Sequence, residues 1–258
     1  MCLILAAINE HPDFPLILCG NRDEFYNRPT RQASFWEENE QIFAGRDLEK
    51  GGTWLGVTTG GKIAAVTNVR SSEEVKDEYR TRGEIITNFF HSDSGLDEYL
   101  DKLHSTKHLY QGYNTIVGKG EDFYYYSNRA ADAVKLDKGI HVVSNAQLNT
   151  NWPKAEKTKE LMKAILTNKD KTLLIEGLLN MLGDATIYGD DVLPDTGVGI
   201  ELERFLSSIF ISGTEYGTRA STVVLRGFDG GTHFIEQSYG PNGGKESKIV
   251  EFIECNIR

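Results

Sequence analysis

Short apolar runs separated by Pro, Gly and Asp residues recur along the chain and predict antiparallel hairpins. Residues 3–9 and 16–20 are such runs on either side of a Pro-containing turn, which predicts an opening hairpin. Residues 53–58 and 62–68 are joined through Gly60-Gly61, a dipeptide suited to the positive φ angles of a tight turn. Two further hairpins are predicted over residues 113–127 and 133–144.

The spacing of apolar positions changes to a helical period in four segments. These are residues 83–91, 95–105, 154–166 and 171–182. Four more apolar runs, at 207–212, 220–226, 232–238 and 248–254, predict strands at the end of the chain. Because the helices come in pairs between groups of strands, the pattern favours an α+β fold of stacked antiparallel sheets with helices on the outside.

Composition narrows the class of protein. The chain has 258 residues, a formal charge of -10 and 39% hydrophobic positions, and no linker divides it, so we expect one domain over residues 1–258. Nucleic acid is not expected as a partner, since no Lys/Arg block is present. The apolar run at residues 2–8 is too short to cross a membrane and follows no basic segment, so we expect a cytoplasmic protein.

The amino terminus carries the strongest candidate chemistry. Cys2 follows Met1 directly, and a small second residue is the condition under which the initiator methionine is usually removed. An α-amine with a pKa of about 7.7–8.0 and a thiol with a pKa of about 8.5 would then belong to one residue. That residue would supply a base and a nucleophile together, so a separate catalytic histidine is not required.

Hairpin register predicts which side chains meet this terminus. A turn centred between Pro12 and Asp13 places Cys2 opposite Asp23 and delivers the polar run 21–24 beside the amine and thiol. In the second hairpin, Asn68 falls opposite Thr53 at a strand end. Near the terminus, a cation such as Arg22 would lower the pKa of the thiol and a carboxylate such as Asp23 would orient the amine.

Three separated motifs carry a family resemblance. They are Met1-Cys2, Asn21-Arg22-Asp23-Glu24 and Gly51-Gly52-Thr53-Trp54-Leu55-Gly56. In this order they resemble the family named for its Asn-Arg-Asp-Glu motif, whose eukaryotic members are called transport and Golgi organisation protein 2. That family is in turn similar to cysteine N-terminal nucleophile hydrolases such as penicillin V acylase and choloylglycine hydrolase. This more remote resemblance implies a four-layer αββα sandwich.

The same resemblance implies roles for individual residues. Cys2 would be nucleophile and base, and Arg22 and Asp23 would hold it. Asn68 and Asn145 would match the asparagines that bind the oxyanion and the amine, and Arg219 resembles a late arginine of that site. Alignment on Gly20 gives the carboxylate role to Glu24 instead, so both acids stay open. The reaction implied is hydrolysis of an amide through a thioester, with no cofactor required.

Other interpretations also stay open. A carrier of the same fold for haem or an acyl ligand is a rival, because family members are associated with haem handling and lipid metabolism, and a scaffold with a dead site is another. Residues 22–24 could be a solvated charge cluster, and Arg219 could pair with Glu215 on the surface. His104 and His108 have the spacing of helical metal ligands but lack a third ligand, so no metal site is predicted.

Overall fold

Two antiparallel sheets form the centre of the protein in a computed structural model that describes residues 3–72 and 78–255. The strands are β1 (Leu3–Ile8), β2 (Leu16–Phe25), β3 (Thr30–Trp36), β4 (Asn39–Asp47), β5 (Leu55–Thr58), β6 (Lys62–Asn68), β7 (Tyr113–Lys119), β8 (Asp122–Ser127), β9 (Val134–Lys135), β10 (Gly139–Val143), β11 (Tyr216–Arg226), β12 (Thr232–Tyr239) and β13 (Lys245–Ile253). The α-helices are α1 (Gly83–His91), α2 (Leu96–Thr106), α3 (Pro153–Ile165), α4 (Lys171–Leu182) and α5 (Ile200–Phe205). Sheet A has the strand order β10-β1-β2-β11-β12-β13, and sheet B has the order β3-β4-β5-β6-β7-β8-β9.

Each sheet buries one face against the other sheet and one face against a pair of helices. Ile4 and Phe234 of sheet A belong to a buried cluster between the sheets. Leu5 of β1 packs instead with Leu178 of α4 in a second cluster. Ile86 of α1 belongs to a third cluster, which covers the outer face of sheet B. The period-two alternation of each strand therefore builds three apolar layers, and the expected αββα sandwich is confirmed.

The opening hairpin differs slightly from its predicted register. Leu3 pairs with Asn21, so the hairpin is centred on Pro12 rather than between Pro12 and Asp13. The predicted register is wrong by one residue because the connecting loop bends where Asn9 takes a positive φ of 54°. Cys2, and with it the predicted pairing to Asp23, lies outside the described residues.

The second hairpin is also centred one half-residue earlier than predicted. Leu55 pairs with Ala65, and the amide of Gly61 donates to the carbonyl of Thr58 at 2.9 Å. Gly61 has a φ of 80°. A three-residue loop with glycine in the left-handed region explains the shift, because it adds one residue to the two-residue turn that was expected.

The remaining local predictions divide clearly. The four predicted helices are confirmed as α1 to α4, and the hairpin over 113–127 is confirmed as β7 and β8. The predicted hairpin over 133–144 is wrong, because β9 joins sheet B and β10 joins sheet A. Residues 207–212 contain no described strand, whereas β3, β4 and α5 were not predicted. None of the described helices has the length and apolar content needed to cross a membrane.

Candidate active site

The sequence run 21–24, which we call the tetrad, lies in β2 at the centre of sheet A. Side chains of a strand point alternately to its two faces. The guanidinium of Arg22 lies over the indole of Trp54, 4.4 Å from the ring centroid, and so faces sheet B. Asn21 occupies the opposite face, where its side chain contacts the end of α4. Neighbouring positions of the tetrad therefore have different surroundings.

Asn21 is fully buried and ties three segments together. Its Nδ2 donates to the carbonyls of Leu182 and Ile209, each at 2.8 Å. Its Oδ1 accepts a hydrogen bond of 2.7 Å from the hydroxyl of Ser221. These bonds fix the end of α4 and the following chain onto sheet A, so this residue of the tetrad has a structural role.

Arg22 is a buried cation held from several sides. Besides its contact with Trp54, its Nη1 donates to the hydroxyl of Thr30 at 3.2 Å. Burial lowers the pKa of Arg22 to about 10, and the charge of Glu24 opposes part of that shift. The guanidinium is still protonated at neutral pH, because its pKa stays about three units above it. It is a fixed positive charge at the inner face of β2.

A cavity of about 530 Å³ opens beside Arg22 between the two sheets. Its described lining is mainly polar and includes eight charged residues: Arg22, Asp23, Glu24, Arg28, Asp47, Lys50, Thr53, Trp54, Val66, Thr67, Asn68, Tyr79, Arg80, Thr81, Arg82, Gly83, Gln111 and Tyr216. Three of the residues predicted for the site, Arg22, Asp23 and Asn68, line this one cavity, although they come from different sheets. The volume suits a small organic ligand.

A close backbone contact shapes one wall of the cavity. The amide of Thr53 donates to the carbonyl of Gly83 at 3.4 Å. A Cβ on Gly52 would lie 2.5 Å from the carbonyl carbon of Gly83, so only glycine allows the two segments to approach this closely. The motif at residues 51–56 thus brings the start of α1 against the segment that carries Trp54 and leads into β5.

Asn68 ends β6 and is oriented by Asn145. The Nδ2 of Asn145 donates to Asn68 Oδ1 at 2.8 Å, which leaves Asn68 Nδ2 on the other side of the amide group. Asn145 is buried and is absent from the described lining of the cavity, so it contacts the cavity only through Asn68. The structure therefore brings the two asparagines together. Asn68 lines the cavity, and Asn145 holds the side chain of Asn68 without lining the cavity itself.

A buried ion pair supports Asn145 from below. The Nη2 of Arg70 donates to Asn145 Oδ1 at 3.3 Å, and its Nη1 lies 2.5 Å from Glu203 Oε2. Glu203 belongs to α5, and its other carboxyl oxygen accepts from both the amide and the hydroxyl of Thr196. Sequence reasoning missed this pair, since 133 residues separate its members and neither stands in a recognisable motif.

The two candidate carboxylates have different environments. Asp23 is buried, and its Oδ1 accepts a hydrogen bond of 2.6 Å from the hydroxyl of Thr218. Glu24 is partly exposed, accepts from the amide of Phe25 and lies 3.7 Å from the guanidinium of Arg28. Both line the cavity. The acid that orients the amine is therefore either Asp23, whose carboxylate is buried and hydrogen-bonded, or Glu24, whose carboxylate is more exposed.

Arg219, which was predicted for the site, is absent from the described lining of the cavity. It is the extra residue of a bulge in β11, where the pairing with β2 shifts between Thr218 and Ala220. Its Nη1 donates to the backbone carbonyl of Arg28 and to the hydroxyl of Thr30, the same hydroxyl that accepts from Arg22. Arg219 therefore supports the loop and the hydroxyl that hold Arg22.

The two described cysteines, Cys19 and Cys255, are absent from the lining of the cavity. Cys19 is fully buried, and burial raises the pKa of its thiol to about 12, so it is not a nucleophile at neutral pH. Cys255 is partly exposed. Among the described residues, no cluster of three or more metal-binding side chains occurs. The described cavity lining offers Tyr79 and Tyr216, but no histidine or methionine, to a haem iron.

Comparisons with known proteins agree on family and fold. The chain matches the family model described as Transport and Golgi organisation 2 over residues 1–241. It is 36% identical over 258 residues to the human Transport and Golgi organization protein 2 homolog, with 92% of this chain and 93% of that protein covered. It is 34% identical over 261 residues to the mouse homolog, with the same coverage. It is 24% identical to the Drosophila melanogaster protein over 92% of both chains.

Two solved structures are similar in fold. The first is the Caenorhabditis elegans N-acylethanolamine-hydrolyzing acid amidase ortholog, with a TM-score of 0.50, 18% identity, and 87% of this chain and 92% of that chain covered. The second is penicillin V acylase from Agrobacterium tumefaciens, with a TM-score of 0.46, 14% identity, and 100% and 94% covered. At this identity the likeness to the acid amidase ortholog concerns architecture only. Since the family model spans residues 1–241 and both mammalian relatives exceed 30% identity over nearly the whole chain, the protein belongs to the Transport and Golgi organisation 2 family.

Proposed function

We propose that this protein hydrolyses an amide bond with Cys2 as its nucleophile, after removal of Met1. The observation that carries the proposal is the cavity of about 530 Å³ in which Arg22, Asp23 and Asn68 converge from two sheets. The described chain begins at Leu3, which pairs with Asn21 of the tetrad at this end of β2. In the sequence, Cys2 directly precedes β1, the strand that pairs with β2, and β2 carries the fixed cation Arg22.

The reaction proceeds in two balanced steps. In the first, the α-amine takes the proton of the Cys2 thiol while sulfur bonds to the amide carbonyl carbon. The tetrahedral intermediate collapses, the C–N bond breaks and the leaving amine carries away that proton, which leaves a thioester. In the second, water gives a proton to the α-amine and attacks the thioester, the C–S bond breaks, and a carboxylic acid and the free thiol are released.

Two described residues supply the electrostatics of this mechanism. The buried charge of Arg22 lowers the pKa of a neighbouring thiol, since it favours the thiolate. The Nδ2 of Asn68 is the amide donor that Asn145 directs away from itself, and such a donor stabilises a developing oxyanion without titrating. Loss of one donor of this kind costs roughly 3 kcal/mol of transition-state stabilisation.

Cys2 is tested by its reactivity and by turnover. Intact mass of the purified protein should show that Met1 is absent. Iodoacetamide should then alkylate Cys2 much faster than Cys255, measured by peptide mass spectrometry. A panel of fluorogenic amides with short, long and aromatic acyl groups should reveal turnover that Cys2→Ser reduces at least a hundredfold. Cys255→Ser is the matched control and should leave the rate unchanged.

The two carboxylates are separated by neutral amide variants. Asp23→Asn should lower thermal stability, because it changes the partner of the Thr218 hydroxyl, as well as altering Cys2 reactivity. Glu24→Gln should change the pH profile of Cys2 reactivity without loss of stability if Glu24 is the acid that orients the amine. Equal effects of the two variants would leave neither as the specific partner of the amine and would contradict this part of the mechanism.

Some results would refute the hydrolase. Retention of Met1 excludes the amine as base, and equal alkylation of Cys2 and Cys255 excludes an activated thiolate. Tight binding of haem or of an acyl ligand, without turnover of any amide and without an effect of Cys2→Ser, would favour a carrier. A Soret shift on haem addition, or its absence, distinguishes the two cargoes.

A further inference from the structure

A second, smaller cavity of about 70 Å³ lies behind Arg22 and Trp54, between the sheets. Glu236 of β12 faces it from the same side of the strand as Phe234, which packs in the central core. Only 1% of Glu236 is exposed. A carboxyl group in such a position is costly unless it is paired or protonated, so its neighbours decide its role.

Glu236 is only half satisfied by hydrogen bonds. Its Oε1 accepts from the amide of Ala33 in β3 at 2.8 Å and so links the two sheets. Its Oε2 makes no hydrogen bond of normal geometry within residues 3–72 and 78–255. The hydroxyl of Thr222, its cross-strand neighbour, and the Nε1 of Trp54 are in the same state. The protonation of Glu236 therefore depends on the charges around the small cavity, because no hydrogen bond of normal geometry to a described residue holds its Oε2.

Charged groups surround this cavity from four strands. They are Arg22 of β2, Arg219 of β11, Glu236 of β12 and Glu246 of β13, and the titratable hydroxyl of Tyr239 joins them, with the neutral side chains of Thr30 and Gln32 completing the β3 side. Burial raises the pKa of Glu236 to about 7, against the opposing effects of the Ala33 amide, the charge of Arg22 and the Thr222 hydroxyl. The carboxyl group therefore changes charge close to neutral pH.

Arg22 and Trp54 line both cavities and form the wall between them. We propose that Glu236 is a positioning residue whose proton sets the counter-charge of Arg22, and through Arg22 the reactivity of the candidate active site. When Glu236 is ionised, it offsets the field of the guanidinium. When it is neutral, the full positive charge of Arg22 acts on the larger cavity. The coupling to the thiol rests on the proposed hydrolase function.

The first measurement does not depend on Cys2. Tryptophan emission of the full chain, titrated between pH 5 and 9, should contain a step with its midpoint near 7, since Trp54 adjoins both Arg22 and the small cavity. The step should vanish in Glu236→Gln and in Trp54→Phe, and should persist with a shifted midpoint in Glu236→Asp. Glu246→Gln, a change of an exposed acid at the same cavity, is the matched control and should keep it.

The second measurement follows alkylation of Cys2 by iodoacetamide over the same pH range. At pH 8 Glu236→Gln should react roughly tenfold faster than the natural protein, because the variant lacks the negative charge that offsets the field of Arg22. The two proteins should converge below pH 6, where both side chains are neutral. Glu246→Gln should follow the natural profile.

The outcomes separate the two proposals. An emission profile without a step near 7 in the natural protein, or a step that survives Glu236→Gln, overturns the role of Glu236. A normal step also overturns it if Cys2 reacts faster than Cys255 but the alkylation profiles of the natural protein and Glu236→Gln are identical, because Glu236 would then not act on the site. A normal step combined with a Cys2 that reacts no faster than Cys255 refutes the hydrolase but keeps the coupling of Glu236 to Arg22.

Discussion

Replacing Glu203 by glutamine should destabilise the protein far more than an ordinary ion-pair substitution. The side chains of Arg70 and Glu203 are 7% and 2% exposed, and their charged atoms lie 2.5 Å apart. Glu203→Gln leaves Arg70 as a buried cation without a counter-charge, which costs about 3–5 kcal/mol of unfolding free energy. In a chain of this size that corresponds to a loss of roughly 6–20 °C in Tm.

The pH dependence gives this prediction a second arm. Burial alone would raise the pKa of Glu203, but the hydrogen bonds from Thr196 and the charge of Arg70 together lower it below its ordinary value of 4.5. A carboxyl group with a lowered pKa in the folded state stabilises the protein above its unfolded pKa, and this contribution disappears as the pH falls through the folded pKa. The difference between the natural protein and Glu203→Gln should therefore be constant at pH 6–8 and shrink below about pH 4.5.

Urea unfolding at pH 7 and pH 4, followed by circular dichroism, measures both arms. Asp190→Asn is the matched control, because it breaks an Arg–carboxylate pair of similar geometry, 2.7 Å from Arg204, whose side chains are about half exposed. Its effect should be small. Equal midpoint shifts for the two variants, or a Glu203→Gln effect that does not change with pH, would refute the reasoning from burial.

Three further predictions concern stability. Between pH 5 and 8 the natural protein should lose about 2.5 kcal/mol that Glu236→Gln retains, because a raised carboxyl pKa makes stability fall as pH rises from 4.5 to about 7. Gly52→Ala should cost about 1–3 kcal/mol, since its Cβ would meet the backbone of Gly83, whereas Gly95→Ala meets no atom within 4 Å and should be tolerated. Asn21→Ala should cost about 3 kcal/mol by removing two buried donor contacts and one acceptor. Urea titration measures all three; parallel pH profiles, equal glycine effects or a neutral Asn21→Ala would contradict them.

The sequence predicted helices and strands correctly where the residues that stabilise each element lie close to it in the chain. The helices and the hairpin over 113–127 needed only their own periodicity and turn residues. The hairpin over 133–144 failed because Leu136 turns into the core between the sheets, after which the chain changes sheet. Residues 207–212 are apolar for a different reason, since Ile209 and Ile211 are buried against sheet A without forming a described strand. Nothing in either segment's own pattern reveals these tertiary partners.

The residues of the candidate site also fall into those that the sequence could indicate and those that it could not. Arg22 and Asn68 could be singled out from the sequence, because Arg22 stands in the Asn-Arg-Asp-Glu motif and Asn68 ends a predicted hairpin strand, β6. Arg70, Glu203 and Glu236 could not, because their importance arises from burial and from partners on distant segments. A charged residue in a short polar stretch looks solvated in the sequence, and only packing shows that its charge is enclosed.

The pleat of β2 explains how one short motif can serve both the fold and the site. The side chain of Asn21 points toward the helices, where it donates to the carbonyl of Ile209 in the segment that follows α5. Arg22 points to sheet B, where it meets Trp54 and lines the larger cavity. Because neighbouring positions of a strand cannot exchange faces without a register slip, the structural bonds of Asn21 also fix the direction of Arg22. The order of residues in the tetrad is therefore constrained by geometry, and a substitution that loosens its structural face should disturb the charge on the other.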